Sequence, residues 1–333
     1  MTFNRSIGVW AVRLLLGALF LFGSEIILWT NPLEHSALDW LVRIVGYVLL
    51  ATLTLDIAER YRIQDGYDAM VLIAGTALLH GLLINPLISW QIFPDSLLTR
   101  IIGADALVQI ILWGIFLTWL RGDNRKYSLY HLVGGLWLGI FWGFWMRWTP
   151  ELRGTFSAIS LSQMAMIAGV AFILIVAFYY LVTVQSAKTL KAPDLVLSQL
   201  EWGIVLVVLI SLFLVQAVLG AVGVGALLAT VFLLALCWLI LWLRRDAEQD
   251  TLLSAHLPLK AQSPLWIILL MAIFAGAVYG AYNLPLITDV AYVNQLWLME
   301  VGSFAVGILW LPLVASVIAT RAIDIYMREG FTL

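Results

Sequence analysis

Apolar runs of about 17 to 25 residues, the length an α-helix needs to cross a bilayer, follow one another along almost the whole chain, separated by short turns or charge clusters. The first extends from Val9 to Trp29, and further cores lie near 38–58, 68–90, 99–120, 129–148, 160–185, 202–220, 222–243, 264–284 and 291–318. This pattern predicts an all-α, polytopic integral membrane protein of about ten transmembrane helices. The first run reads as a spanning helix rather than a cleaved signal. It contains Arg13 and Glu25, and no small-x-small site precedes Asn31-Pro32. Only Ser186 to Glu201 and Arg244 to Ser263 are connections longer than a turn, so residues 1–333 read as a single transmembrane domain. Five plus five helices would allow halves 1–150 and 151–333 of opposite orientation, although no aligned series of residues relates them. Between the seventh and eighth runs, Gly220, Gly223 and Gly225 mark a hairpin inside a stretch without charge.

Composition strengthens this reading. Hydrophobic residues make up 63% of the 333 and charged residues only 11%, with a mean hydropathy of +0.99. That is too little charge for the polar shell of a soluble fold. A net charge of −2 offers no basic field for nucleic acid. The single cysteine, Cys237, excludes disulfides and thiolate metal clusters.

The distribution of charge sets an orientation, because cytoplasmic loops retain Lys and Arg. With the N-terminus inside, thirteen basic residues (Arg5, Arg60, Arg62, Arg121, Arg125, Lys126, Lys188, Lys191, Arg244, Arg245, Lys260, Arg321 and Arg328) fall on the cytoplasmic side and three (Arg100, Arg147, Arg153) outside. Both termini are therefore expected in the cytoplasm. The compact loops suggest the plasma (inner) membrane of a bacterium.

Ionisable residues within a span are expensive and need partners or a water-filled cavity. At 1.5 Å rise per residue, Glu25 and Arg43 lie about 6 and 7 Å from the outer ends of their helices. His80 lies about 15 Å deep, and Asp105 and Gln109 lie about 9 and 15 Å deep, again in the outer half. Asp105 and Gln109 share a helix face at i, i+4, as do Thr76 and His80. The expectation is an outward-opening polar pocket among the first four helices. Glu25 and Arg43 pair at its mouth, and His80, Asp105 and Gln109 form its substrate-binding wall. The competing reading is a set of buried pairs that only registers the helices. Glu300, about ten residues into the last run, is the candidate proton-coupling acid near the midplane.

Gly135, Gly139 and Gly143 form a doubled GxxxG pattern suited to close helix packing. Ala272, Gly276 and Gly280 repeat it in the ninth run, so these two helices are expected to pair with each other or with a partner subunit. No cofactor or metal is expected. His35 with Glu34 and Asp39 reads as a solvated loop, His80 and His131 differ too much in depth to share a haem, and no lysine lies mid-span for a retinal Schiff base. P-loop, HExxH, GxSxG and DDxxD-like signatures are missing. The partners expected are the lipid bilayer and membrane proteins docking on small-residue faces. Three functions fit: transport of a small molecule or lipid through the polar cavity, a non-catalytic subunit of a larger membrane complex, and a membrane-embedded enzyme acting on a lipid-linked substrate with His80 and Asp105 as acid and base.

Overall fold

The fold is a computed structural model that describes residues 3–28, 32–86, 93–121, 124–153, 160–186, 190–218, 223–244, 250–257 and 264–284, and 302–320 in part. It is all-helical, 89% helix without strands among the described residues. Its long helices are α1 (Phe3–Leu21), continued by a π-helical segment (Phe22–Ile27), α2 (Ala37–Arg60) and α3 (Gly66–Leu83). A second π-helical segment (Leu97–Asp105) runs into α4 (Ala106–Arg121), followed by α5 (Asn124–Arg153), α6 (Leu161–Ser186), α7 (Gln199–Val218) and α8 (Val224–Arg244). A short α9 (Leu252–His256) precedes α10 (Pro264–Tyr282). Among the described residues nine helices are long and apolar enough to cross a membrane. Of the tenth run, residues 302–303, 305–310 and 312–317 are described, and they are helical. The seventh and eighth runs are two separate helices, α7 and α8, as the glycine-rich boundary implies.

The helix starts follow from their sequences. Ser36 caps α2 reciprocally: its Oγ accepts from the Asp39 amide at 3.2 Å and its own amide donates to Asp39 Oδ2 at 3.0 Å, which satisfies two otherwise orphaned donors. Asp65 caps α3 by accepting from the amides of Tyr67 (2.8 Å) and Asp68 (2.9 Å).

The core gathers around α1 to α4. α1 packs against α2, α4 and α6, and α3 packs against α2, α4, α7 and α8. Gly17 allows the close approach of α2, since a Cβ there would meet Val48 Cα at 3.2 Å. The later helices are peripheral: 72% of the α3 span is buried, against 6% of the α7 span. The aliphatic surface left exposed on α6, α7 and α8 is compatible with lipid contact.

The end of the bundle opposite the polar site is clipped by ion pairs. Buried Arg13 donates to Glu201 Oε1 (2.7 Å), and Arg60 pairs with Asp56 one turn earlier (2.8 Å). Asp56 in turn accepts from the Leu197 amide at 2.8 Å. These bonds draw the connection before α7, including a 3₁₀ turn at Ala192–Leu195, onto α1 and α2. That turn is buried at Ala192 and Leu195. Arg244 at the end of α8 similarly pairs with Asp65 and Asp68.

Candidate functional site

The two π-helical segments place the two buried acids. Ser24 and Glu25 lie in the first, and Asp105 ends the second. A π turn holds more residues than an α turn and so re-aims the side chains that follow, and such segments recur at functional sites. Gly23 lets the first segment lie against α4, where a Cβ would fall 2.6 Å from Leu112 Cδ1 and 3.0 Å from Val108 Cγ1.

The polar residues of four consecutive helical regions converge here. Asp105 accepts three hydrogen bonds or contacts of that kind: Ser24 Oγ to Oδ1 (2.6 Å), Gln109 Nε2 to Oδ2 (2.9 Å) and His80 Nδ1 to Oδ2 (2.9 Å). Glu25 Oε1 accepts from Arg43 (2.7 Å), the Tyr47 hydroxyl (2.8 Å) and Asn85 Nδ2 (2.8 Å). Acceptor-only roles are those of carboxylates. His80 joins the two groups, because its Nε2 lies 2.7 Å from the Tyr47 oxygen and 3.0 Å from Asn85 Nδ2. Arg43 also donates to Asn85 Oδ1. Asp105, His80, Tyr47 and Glu25 thus form one continuous chain of contacts shorter than 3 Å.

Both protonation states of His80 find partners in this geometry. With a proton on Nδ1 alone, Nε2 accepts from Asn85. With a second proton, Nε2 donates to the Tyr47 oxygen while the Tyr47 hydroxyl still donates to Glu25. Counted by formal charge with both acids ionised, two carboxylates and one guanidinium sum to −1 beside a neutral imidazole. An imidazolium makes the cluster neutral.

The cluster is closed. Glu25 and Gln109 have 0% exposure, and Ser24, Tyr47, Asp105, Asn85 and His80 are all buried. The side chains of Arg43 (14%) and His35 (13%) are the more exposed members, and His35 Nε2 stands 3.7 Å from Glu25 Oε2. The expected pocket wall is therefore packed side chain to side chain. Gln109 Oε1 is buried with no hydrogen-bond partner among the described residues.

Of the residues singled out in the sequence, Glu25, Arg43, His80, Asp105 and Gln109 all meet in this cluster. Thr76 does not; it bonds Thr54 at 3.0 Å and the Leu72 carbonyl at 3.1 Å instead. Glu300 lies outside the described residues. Sequence reasoning missed Ser24, Tyr47 and Asn85 and set His35 aside as solvated. Tyr47, four residues after Arg43 and hence on its face, was the legible signal.

The small-residue helices do pack, with a different stripe on one side. A Cβ at Gly139 would fall 2.6 Å from the Phe274 carbonyl oxygen, and one at Gly143 would fall 2.7 Å from that of Val278. Gly135 faces Leu270. On α10 the facing residues are thus Leu270, Phe274, Ala277, Val278 and Ala281. Gly276 and Gly280 point elsewhere, with nothing among the described residues within 4 Å of a Cβ at either. The reason is register: the closest approach to α5 runs along the 270, 274, 278 row, and 276 and 280 lie on another face of α10.

The other two histidines are occupied. The Trp266 indole donates to His131 Nδ1 at 3.4 Å, so the His131 proton sits on Nε2 and meets Thr118. His256, in the short α9, holds the Leu252 carbonyl at 2.6 Å, and burial lowers its pKa below the ordinary imidazole value. Among the described residues no group of three or more His, Cys, Asp or Glu side chains is placed to hold a metal ion. No protein-family model matches the chain, and neither a curated protein nor a solved structure is significantly similar to it.

Proposed function

We propose that the protein is a proton-coupled membrane transporter of a small molecule or lipid, in which His80 carries the exchangeable proton. One observation carries the reading: a buried chain of hydrogen-bonding contacts joins two carboxylates through an imidazole and a phenol, Asp105–His80–Tyr47–Glu25. Titratable groups are costly in a bilayer and, where chained, serve proton relays in pumps and transporters. Gain or loss of one proton at His80 switches the cluster between neutral and singly negative. That change alters the attraction among four helical regions, and so supplies a bistable element for opening the site.

The bias of basic residues supports cytoplasmic termini, which put the cluster in the outer half of a bacterial plasma membrane. Arg43 and His35, the partly exposed members, then form its outward mouth.

The test uses protein reconstituted in vesicles under an imposed pH gradient, with lumenal pH followed by a trapped dye while small organic acids, bases and polar lipids are added in turn. Solute-dependent proton movement in the wild type, lost in His80→Gln, is the expected result. Folded wild-type protein that moves no protons with any solute would overturn transport. The second reading, an embedded acid–base enzyme, is favoured by the order Asp105–His80–Tyr47, in which a carboxylate orients an imidazole against a hydroxyl. It requires turnover of a lipid-linked substrate that stops in Tyr47→Phe.

A further inference from the structure

We infer that His35 is the port through which the His80 proton exchanges with the surrounding water, an inference that rests on the proton-coupled reading above. From Asp105 to Glu25 every successive contact is shorter than 3 Å. The next step outward, from Glu25 Oε2 to His35 Nε2, is 3.7 Å, just beyond hydrogen-bond length. It occurs where the chain meets the surface, since Glu25 is fully buried and His35 keeps 13% of its side-chain exposure. Among the described residues the chain thus widens at this step, and the step lies at the mouth.

His35 is held at that distance by local structure. It immediately precedes Ser36, whose reciprocal cap with Asp39 fixes the start of α2, and its ring meets the edge of Trp40 at 5.6 Å and 76°. A small rotation of the imidazole, or one bridging water, closes the gap. The charged groups around the ring are Glu25 toward the interior, Asp39 on the first turn of α2, Arg43 one turn further, and Glu34 beside it in the connection. An imidazole can take a proton at one ring nitrogen and release one from the other, which suits it to shuttle protons. Around His80 stand Asp105 and, through Tyr47 and Asn85, Glu25 and Arg43.

The step balances as a proton transfer alone. A proton leaves Nε2 of the His35 imidazolium for Oε2 of Glu25, Glu25 and Tyr47 each pass one on and end as they began, and the proton comes to rest on Nε2 of His80. No bond to carbon forms or breaks, and no electron moves. His35 becomes neutral and His80 becomes the imidazolium between Asp105 and Tyr47.

With four histidines in the chain, ring-¹⁵N-labelled protein in nanodiscs gives one resolvable set of signals for each. After a change of bulk pH, the rate at which the His80 signals reach their new position is compared between the wild type and His35→Gln, with and without free imidazole in the buffer. The expected result is an unchanged end point for His80, approached at least tenfold more slowly in His35→Gln and restored by imidazole. An unchanged rate in folded His35→Gln would overturn the port and place entry elsewhere. His80 signals that never respond to pH would instead overturn the proton-coupled reading itself. Slowing that imidazole does not relieve would also count against the port, because a lost shuttle is replaceable from solution whereas a distorted loop is not.

Discussion

Two regions join helices of this protein by opposite means. At the polar end of α1 to α4, the π-helical segments and their neighbours are tied by side-chain hydrogen bonds to two buried carboxylates. Along the seam of α5 and α10, side chains contribute one long hydrogen bond at its end, Trp266 to His131 at 3.4 Å, and the stacking of Trp142 on Phe274, while along the middle glycine brings one backbone within contact of the other. Lipid is as apolar as leucine, so hydrophobicity alone does not drive helices together in a membrane, and polar bonds and close packing are the two remedies. The polar remedy concentrates its strength in a few atoms and creates a titratable centre. The glycine remedy spreads it over a row of small contacts and is chemically inert.

The difference predicts unequal sensitivity to single substitutions. The largest effect belongs to Asp105→Ala, which strands the His80, Ser24 and Gln109 donors in a buried cluster. Removing one partner of a buried ionic network typically costs about 3–5 kcal/mol. The measurement is reversible or kinetic unfolding in detergent against the wild type. Loss below about 1 kcal/mol, the range of an exposed ion pair, would show that water reaches the cluster.

Next comes Gly139→Ala. Its Cβ would sit 2.6 Å from the Phe274 carbonyl oxygen, a backbone atom that cannot rotate away, so α10 must shift. Overpacking of this kind costs about 1–3 kcal/mol. Thermal denaturation, together with a cross-link between α5 and α10, reads both the loss and the displacement.

These two regions were unequally legible. Ionisable residues in apolar runs stand out, and a rise of 1.5 Å per residue assigned Glu25 and Arg43 to one level, where they lie 2.7 Å apart. The partners that complete the cluster carry no such signal. Ser24 and Asn85 are ordinary residues near helix ends, and Tyr47 passes for an aromatic of the apolar run. The π-helical segments also had no mark in the pattern, which assumes 3.6 residues per turn. On the seam, the row Gly135, Gly139, Gly143 was readable because close approach demands small residues. Its partner row was not, because Leu270, Phe274 and Val278 take part through backbone and methyl atoms that any apolar helix offers. A second small-residue row at Gly276 and Gly280 therefore drew attention to another face of α10.

Tyr47→Phe separates stability from chemistry within the polar region. It removes one hydroxyl from the middle of the chain and leaves both carboxylates with their other donors. Hydrogen bonds between membrane helices average about 0.6 kcal/mol, so unfolding should shift little. Proton exchange at His80 should nevertheless slow to the level of an interrupted relay, which the ring-nitrogen signals report directly.

The smallest effect is expected from Gly276→Ala, and it is the matched control for the seam. It adds the same methyl group to the same pair of helices as Gly139→Ala, but where nothing among the described residues lies within 4 Å. Substitutions away from such contacts usually change stability by no more than about 0.5 kcal/mol. If the isolated chain tolerates Gly276→Ala as expected, the seam is asymmetric, with glycine needed on α5 and not on α10. A loss comparable to that of Gly139→Ala, accompanied by a lower native mass in mild detergent, would mean that the Gly276 face is itself a packed interface. The two helices would then use glycine alike, one inward and one toward another chain, and the contrast between an inert seam and a functional cluster would have to be redrawn with an assembly in view.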